Sequence, residues 1–361
     1  WCSLDKTTGN GNEKIRIISH WNESTIGEKS AILTISSVDN PGIKTTVEVK
    51  RIEEFKHGSY LTLNKATKGK GINLLITGDA FTREDMGRNG HWQDLMEQSG
   101  RSIFKYEPFA SFREYFNVYA VAAVSATNVI KEGEASNTFF GSYFEEQSVV
   151  IRLKNGSIMT NFVYENSPLK DANVERKDVT ALLILNANKY SGVAMLSGSD
   201  ISIGLGCYWD GAGIPGMEDA FSTMIAHEFL GHAFGQLADE YFGPNWITEE
   251  DKNATLRERK AFGHWQNIEF TNDPEKFDNK NWQQLIKKGY PDVGVFQGGR
   301  YCQFGVWRSI EDNIMKDQNA SPFFGPVNRE IILRRIYKLA GMESEYNLDV
   351  FLEYDKRNLK K

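Results

Sequence analysis

Apolar and polar residues alternate in short runs at the start of the chain. Residues 14–18, 30–36 and 45–51 are rich in β-branched side chains, the pattern of half-buried strands, and Asn40-Pro41-Gly42 marks a turn between the last two. A connector rich in Lys, Thr and Gly occupies 65–71, and the texture then changes. Residues 72–77 are a mostly apolar run ending in Gly78-Asp79, 82–104 reads as helical, and 115–124 and 179–186 are further strands. Strands alternating with long helices predict an α/β sheet with covering helices. The Gly- and Ser-rich residues 193–206 fit an edge strand and loop beside a cleft. Helical patterning returns at 217–237 and 329–339, residues 244–300 read as a helix with loops, and 348–353 as a last strand. The expected organisation is a small β-rich, sandwich-like region (1–65) before a larger α/β domain (66–361).

Composition narrows the function classes. The 361 residues are 40% hydrophobic and 12% aromatic, enough for a sizeable core. Net charge is −6, with no basic block, which argues against a nucleic-acid partner. No apolar run is long enough to span a bilayer. Cys2, Cys207 and Cys302 are too few for a disulfide framework. They read either as three free thiols or as a Cys207–Cys302 disulfide with Cys2 near a lipid-anchored N-terminus. The chain starts at Trp1 rather than Met, which fits a removed leader. The expectation is a secreted or cell-envelope protein, with a lipid anchor upstream or at Cys2, and a monomer.

The helical segment 217–237 carries the chemistry. It contains His227-Glu228-Phe229-Leu230-Gly231-His232, nearly the HExxH zinc-hydrolase motif but with three residues between Glu and the second His. Histidines at i and i+4 lie about 40° apart around a helix, whereas i and i+5 lie about 140° apart, too far to share one ion. A π-bulge near Leu230–Gly231 would restore the geometry, and Gly231, lacking a Cβ, suits the widened turn. With Leu230 treated as the insertion, Gly235 falls where zinc endopeptidases of the metzincin type place their helix-ending glycine. A catalytic zinc takes three protein ligands and leaves one position open. His227 and His232 are two. Ala238 cannot ligate, so Asp239 is favoured as the third, with Glu240 as the alternative and the remaining acid orienting a ligand. Glu228 is the expected general base, taking a proton from metal-bound water and passing it to the leaving amine.

These residues carry a family resemblance. His-Glu-Phe-Leu-Gly-His-Ala-Phe-Gly-Gln-Leu-Ala-Asp-Glu-Tyr, 227–241, resembles the signature of the IgA metallopeptidase family, in its branch with three residues between Glu and His. Dipeptidyl-peptidase III enzymes share the spacing but lack the Asp-Glu-Tyr continuation. Residues 72–79 and 112–120 resemble the family's first strands, and Asp312-Asn-Ile-Met315 resembles a Met-turn, so the likeness covers about 66–340. The resemblance implies a metzincin-like catalytic domain with a Met-turn subdomain. It also implies one catalytic Zn2+ and endopeptidase action on a protein or peptide, although a family name taken from immunoglobulin cleavage does not carry that substrate over. By resemblance Met315 packs beneath the ligands. Tyr241 and Tyr301 are candidate oxyanion donors or packing residues. Arg308 and Arg329 either line a substrate subsite or form buried ion pairs. Metzincins with a proton-donating tyrosine place it two residues after the Met, where this chain has Asp317. The N-terminal strands resemble the later strands of BACON-like sandwich modules, or form an irregular β-rich lead-in. The competing functions are an idle binding or adhesion protein on the same fold and a zinc hydrolase of a non-peptide amide. An intact Glu228 weighs against the first.

Overall fold

The computed structural model describes residues 2–10, 13–19, 29–51, 54–209 and 217–359; Trp1, where the sequence pointed to processing, lies outside them. Near the N-terminus, β1 (Cys2–Leu4) pairs with β2 (Ile17–Ser19). The predicted turn joins β3 (Lys29–Ser36) to β4 (Lys44–Arg51), with the Asn40 side chain accepting the Gly42 N–H at 3.2 Å. The two pairs are separate two-stranded sheets, and Ile32, Ile35 and Val47 stay exposed because a lone hairpin has no second layer to cover it. The next strand, β5 (Tyr60–Asn64), lies on the edge of the main sheet.

That sheet is mixed and six-stranded. Its centre is parallel: β6 (Ile72–Asp79), β7 (Phe116–Val121), β11 (Thr180–Leu185) and β13 (Ser202–Cys207). β5 and β12 (Gly192–Met195) close its two edges antiparallel, in the order β12-β13-β11-β6-β7-β5. Between β7 and β11, β8 (Lys131–Glu132), β9 (Tyr143–Phe144) and β10 (Ile151–Arg152) form a small sheet of their own. Alternate residues of the central strands feed two cores. Leu74, Ile76, Val118 and Leu182 face one, and Leu75, Tyr119, Val121 and Leu183 face the other. Covering both faces is why these strands read as continuous apolar runs. The first face is covered by α1 (His91–Ile103), α6 (Pro326–Leu339), α7 (Leu348–Asp355) and the motif helix. The second is covered by α2 (Gly156–Glu165) through Met159 and Val163.

Three expectations need correction. The helical reading of 82–104 divides into a 3-10 turn, Arg83–Met86, and α1, because Gly87 and Gly90 interrupt it. The last strand expected at 348–353 is α7. Asn347 caps it by accepting the Val350 N–H at 3.1 Å, and Leu348, Phe351 and Tyr354 bury one helical face. Residues 244–300 hold more than a helix and loops. β14 (Phe242–Trp246), β15 (Ile268–Glu269) and β16 (Phe296–Gly299) all pair with β17 (Tyr301–Arg308), alongside α4 (Glu249–Phe262) and α5 (Lys280–Lys287). All three cysteines are free, and burial pushes the Cys207 thiol up to about 12. No helix among the described residues is long and apolar enough to cross a membrane.

Candidate metal centre

α3 (Ala220–Met224) runs directly into a π-helix, Ile225–Phe234, which ends at Gly235. The wide turn absorbs the extra residue and brings His232 back beside His227, their ring centroids 4.7 Å apart and nearly perpendicular. Gly231 is needed for a reason the sequence did not expose. A Cβ there would lie 2.4 Å from Met315 Sδ, so the methionine packs against bare helix backbone. Met315 is wholly buried directly under the histidine pair's helix.

Three side-chain atoms converge in front of this helix. His227 Nε2 and His232 Nε2 are 3.1 Å apart, and each is 3.0 Å from Asp239 Oδ1. Both Nδ1 atoms face carbonyls, Ile314 O and Leu237 O, each at 2.8 Å. Each Nδ1 therefore carries a proton and donates it, which leaves the two Nε2 atoms facing a carboxylate oxygen and open to a metal ion or, in its absence, to a proton. Such a triangle of lone pairs repels itself unless a cation sits among them. Ligands held tetrahedrally at about 2.0–2.1 Å from an ion stand roughly 3.3 Å apart, close to what is seen. The donor set fits a metal ion, and among the described residues it is the one cluster of His, Cys, Asp or Glu that does. The same demand for positive charge moves the ionisations. Burial lowers the basicity of His232, yet Asp239 outweighs it and holds the imidazole up to about 9. Burial pushes Asp239 up, but His232 and the two histidine hydrogen bonds hold it well below its usual range.

Glu228 lies beside the triangle and faces the cleft. Burial raises its carboxyl above the ordinary range, against the pull of both imidazoles. Its side chain crosses to the edge strand β12, where a Cβ on Gly192 would stand 2.6 Å from Glu228 Cγ. A cavity of about 410 Å3 lined by Gly192, Val193, Glu228, Trp265, Arg300 and Tyr301 opens on the His232 side. A second, of about 290 Å3, continues past Glu228 and His227 toward Tyr190 and Gln318.

The family described as IgA Peptidase M64 matches this chain over residues 61–293, more than half its length. The chain belongs to the IgA peptidase M64 family. No individual curated protein matches it. Membership makes it a metallopeptidase, and a peptidase acts on proteins or peptides. The matched span includes the three converging residues and Glu228 but ends before Met315.

Within this M64 domain the other predicted residues separate. Glu240 is turned away from the histidines and fully buried. Its Oε1 accepts from Asn267 Nδ2 at 2.9 Å and Asn328 Nδ2 at 3.0 Å, and its Oε2 from Asn313 Nδ2 at 2.6 Å. Its N–H donates to Met315 O at 2.8 Å, while Asn313 Oδ1 accepts the Met315 N–H at 2.7 Å. It ties the Met315 turn to the segment carrying Asp239 and does not orient a histidine; backbone carbonyls do that. Tyr301 donates to Asp239 Oδ2, and the Tyr241 ring stacks on His227 at 6.5 Å. Both tyrosines are part-exposed at the cleft. Neither arginine reaches it. Arg308 is buried and donates to the carbonyls of Gln297, Gly298 and Glu311. Arg329 forms a buried two-point ion pair with Asp355, at 2.6 and 2.7 Å. Asn267, Trp265 and Arg300 were missed, because isolated residues in a polar stretch carry no spacing signal.

Proposed function

We propose that the chain is a zinc-dependent endopeptidase of metzincin-like layout, with His227, His232 and Asp239 as ligands, Glu228 as general base and Met315 as the Met-turn residue. The observation that carries this is the triangle of two imidazole nitrogens and a carboxylate oxygen at 3.0–3.1 Å beside a cleft-facing glutamate. A zinc ion held there would polarise the scissile carbonyl and lower the pKa of a water molecule. Glu228 takes one proton from the attacking water, whose oxygen bonds to the carbonyl carbon. As the C–N bond breaks, Glu228 delivers that proton to the leaving amine, so one water is consumed per bond. Its raised proton affinity suits a group that must both accept and return a proton.

An extended peptide fits the surroundings. β12 is an edge strand beside Glu228, and its open side offers backbone N–H and C=O groups to a substrate backbone. The cleft continues on both sides of Glu228, which favours cutting within a chain. An exported or envelope-held protein, with Cys2 as the lipid-bearing candidate, completes the proposal. The decisive experiment pairs metal analysis with Glu228→Gln. That variant should retain one zinc per chain and lose on the order of 10²- to 10⁴-fold in peptide cleavage. Undiminished cleavage would remove Glu228 as the base, and absence of stoichiometric zinc after reconstitution would remove the metal mechanism.

A further inference from the structure

Resting on the peptidase function proposed above, we propose that Arg300 is a specificity residue that binds a carboxylate of the substrate beside the scissile bond. Arg300, between β16 and β17, and Tyr301, the first residue of β17, are the two residues enclosed by the Gly299–Cys302 pair. Both have positive φ, 45° and 65°. Two-residue hairpins of this kind ordinarily use Asn-Gly, because large side chains are strained there. Here that strained pair delivers two long side chains into the cleft, a placement typical of functional sites. Tyr301 is already committed to Asp239 Oδ2. Arg300 is committed to nothing comparable.

The backbone of Arg300 is fixed and its guanidinium is held ready. Its N–H donates to Asp239 O at 2.8 Å, so its position is tied to the metal-ligand segment. The guanidinium lies 4.2 Å from the ring centroid of Trp265, whose backbone N–H donates to Gln236 O at 2.7 Å just past the motif helix. Stacking fixes the plane of the fork while leaving its N–H donors at the edge free to bind. Among the described residues no carboxylate lies within ion-pair distance of it. Asp251 and Asp239 act on it only at longer range, and burial lowers its pKa. The second recess differs, since its lysine, Lys316, already pairs with Asp312 at 3.6 Å. A part-buried arginine stacked on a ring and without an acid is a receptor for one, most favourably a two-point carboxylate. Because the cleft runs on past Glu228, an internal Asp or Glu side chain is the favoured source, and a free peptide C-terminus the other.

The test compares matched peptides, capped at both ends, that carry Glu or Gln at the subsite found by profiling cleavage sites in a peptide library. The wild-type protein should favour Glu over Gln by roughly 10- to 100-fold in kcat/KM, the scale of a charge-assisted hydrogen-bonded pair. Arg300→Gln should collapse that ratio to near one, and Arg300→Glu should turn the preference toward Lys at the same subsite. A preference that disappears when the C-terminus is amidated would assign the carboxylate to the peptide end and overturn the side-chain source. Parallel loss on Glu and Gln peptides in Arg300→Gln, or no acidic preference in the wild type, would overturn the proposal. If the wild type cleaves no peptide, the peptidase function fails by itself. The carboxylate site is then judged by binding of the same two peptides to zinc-loaded protein, where Arg300→Gln should erase the Glu advantage and an equal affinity in the wild type would overturn it.

Discussion

Asp239 and Glu240 are neighbours in the chain and both are buried, yet they face two differently built regions. On the cleft side, Asp239 meets two nitrogen lone pairs and one phenol, an arrangement incomplete without a cation. Behind it, Glu240 receives three amide N–H groups and needs nothing more. The first region concentrates unsatisfied charge where a ligand can enter. The second spends its hydrogen bonds holding Met315, Asn267 and α6 in register. A carboxylate thus marks a reactive site only when its partners leave a demand unmet.

Mutations can break that comparison. Asp239→Ala should weaken zinc binding roughly 10²- to 10³-fold, an average ligand's share of a typical site's affinity, while the metal-free protein, which loses the pairing with His232 and Tyr301, is destabilised less than by Glu240→Ala. Competition with a chelator and a thermal scan would read the two halves. Glu240→Ala should do the reverse. Taking the carboxylate acceptor from three buried amide N–H bonds should cost about 3 kcal/mol in denaturant unfolding of the metal-free protein, with every candidate ligand still present. If Glu240→Ala strips zinc without lowering stability, the assignment of the two acids is reversed. Tyr301→Phe removes the bond to Asp239 Oδ2 together with the phenol's bond to Tyr241, and should cost on the order of tenfold in zinc affinity by the same chelator assay. Gly231→Ala should destabilise by about 1–3 kcal/mol through overpacking against Met315. Met315→Ala should recover part of that loss in a double-mutant cycle, and strictly additive effects would mean that the contact does not matter.

Much of this was legible in the residues, and the gaps have physical causes. The buried strands β6, β7 and β11 stood out because two-sided burial leaves unbroken apolar runs. The π-helix was forced by arithmetic, since two histidines five apart cannot meet on an ordinary helix. Asp239 and Glu240 could not be separated with certainty, because their roles depend on asparagines at 267, 313 and 328, remote in sequence. The C-terminal helix α7 was misread because an eight-residue apolar-polar mixture fits either period, and a single side chain, Asn347, settles it. Arg300 was invisible because its meaning lies in a turn conformation and a stacking partner.

The carbonyl of Ile314 has a consequence for how the protein is made. A ribosome that has synthesised the chain as far as Asp239 has already produced all three proposed metal ligands. It has not yet produced the group that fixes the tautomer of His227. Nor has it produced Met315, which fills the hollow under Gly231. The emerging polypeptide therefore carries its ligands early and completes their alignment late. The alignment of the two imidazoles is thus finished only when Ile314 and Met315 have folded against the motif helix.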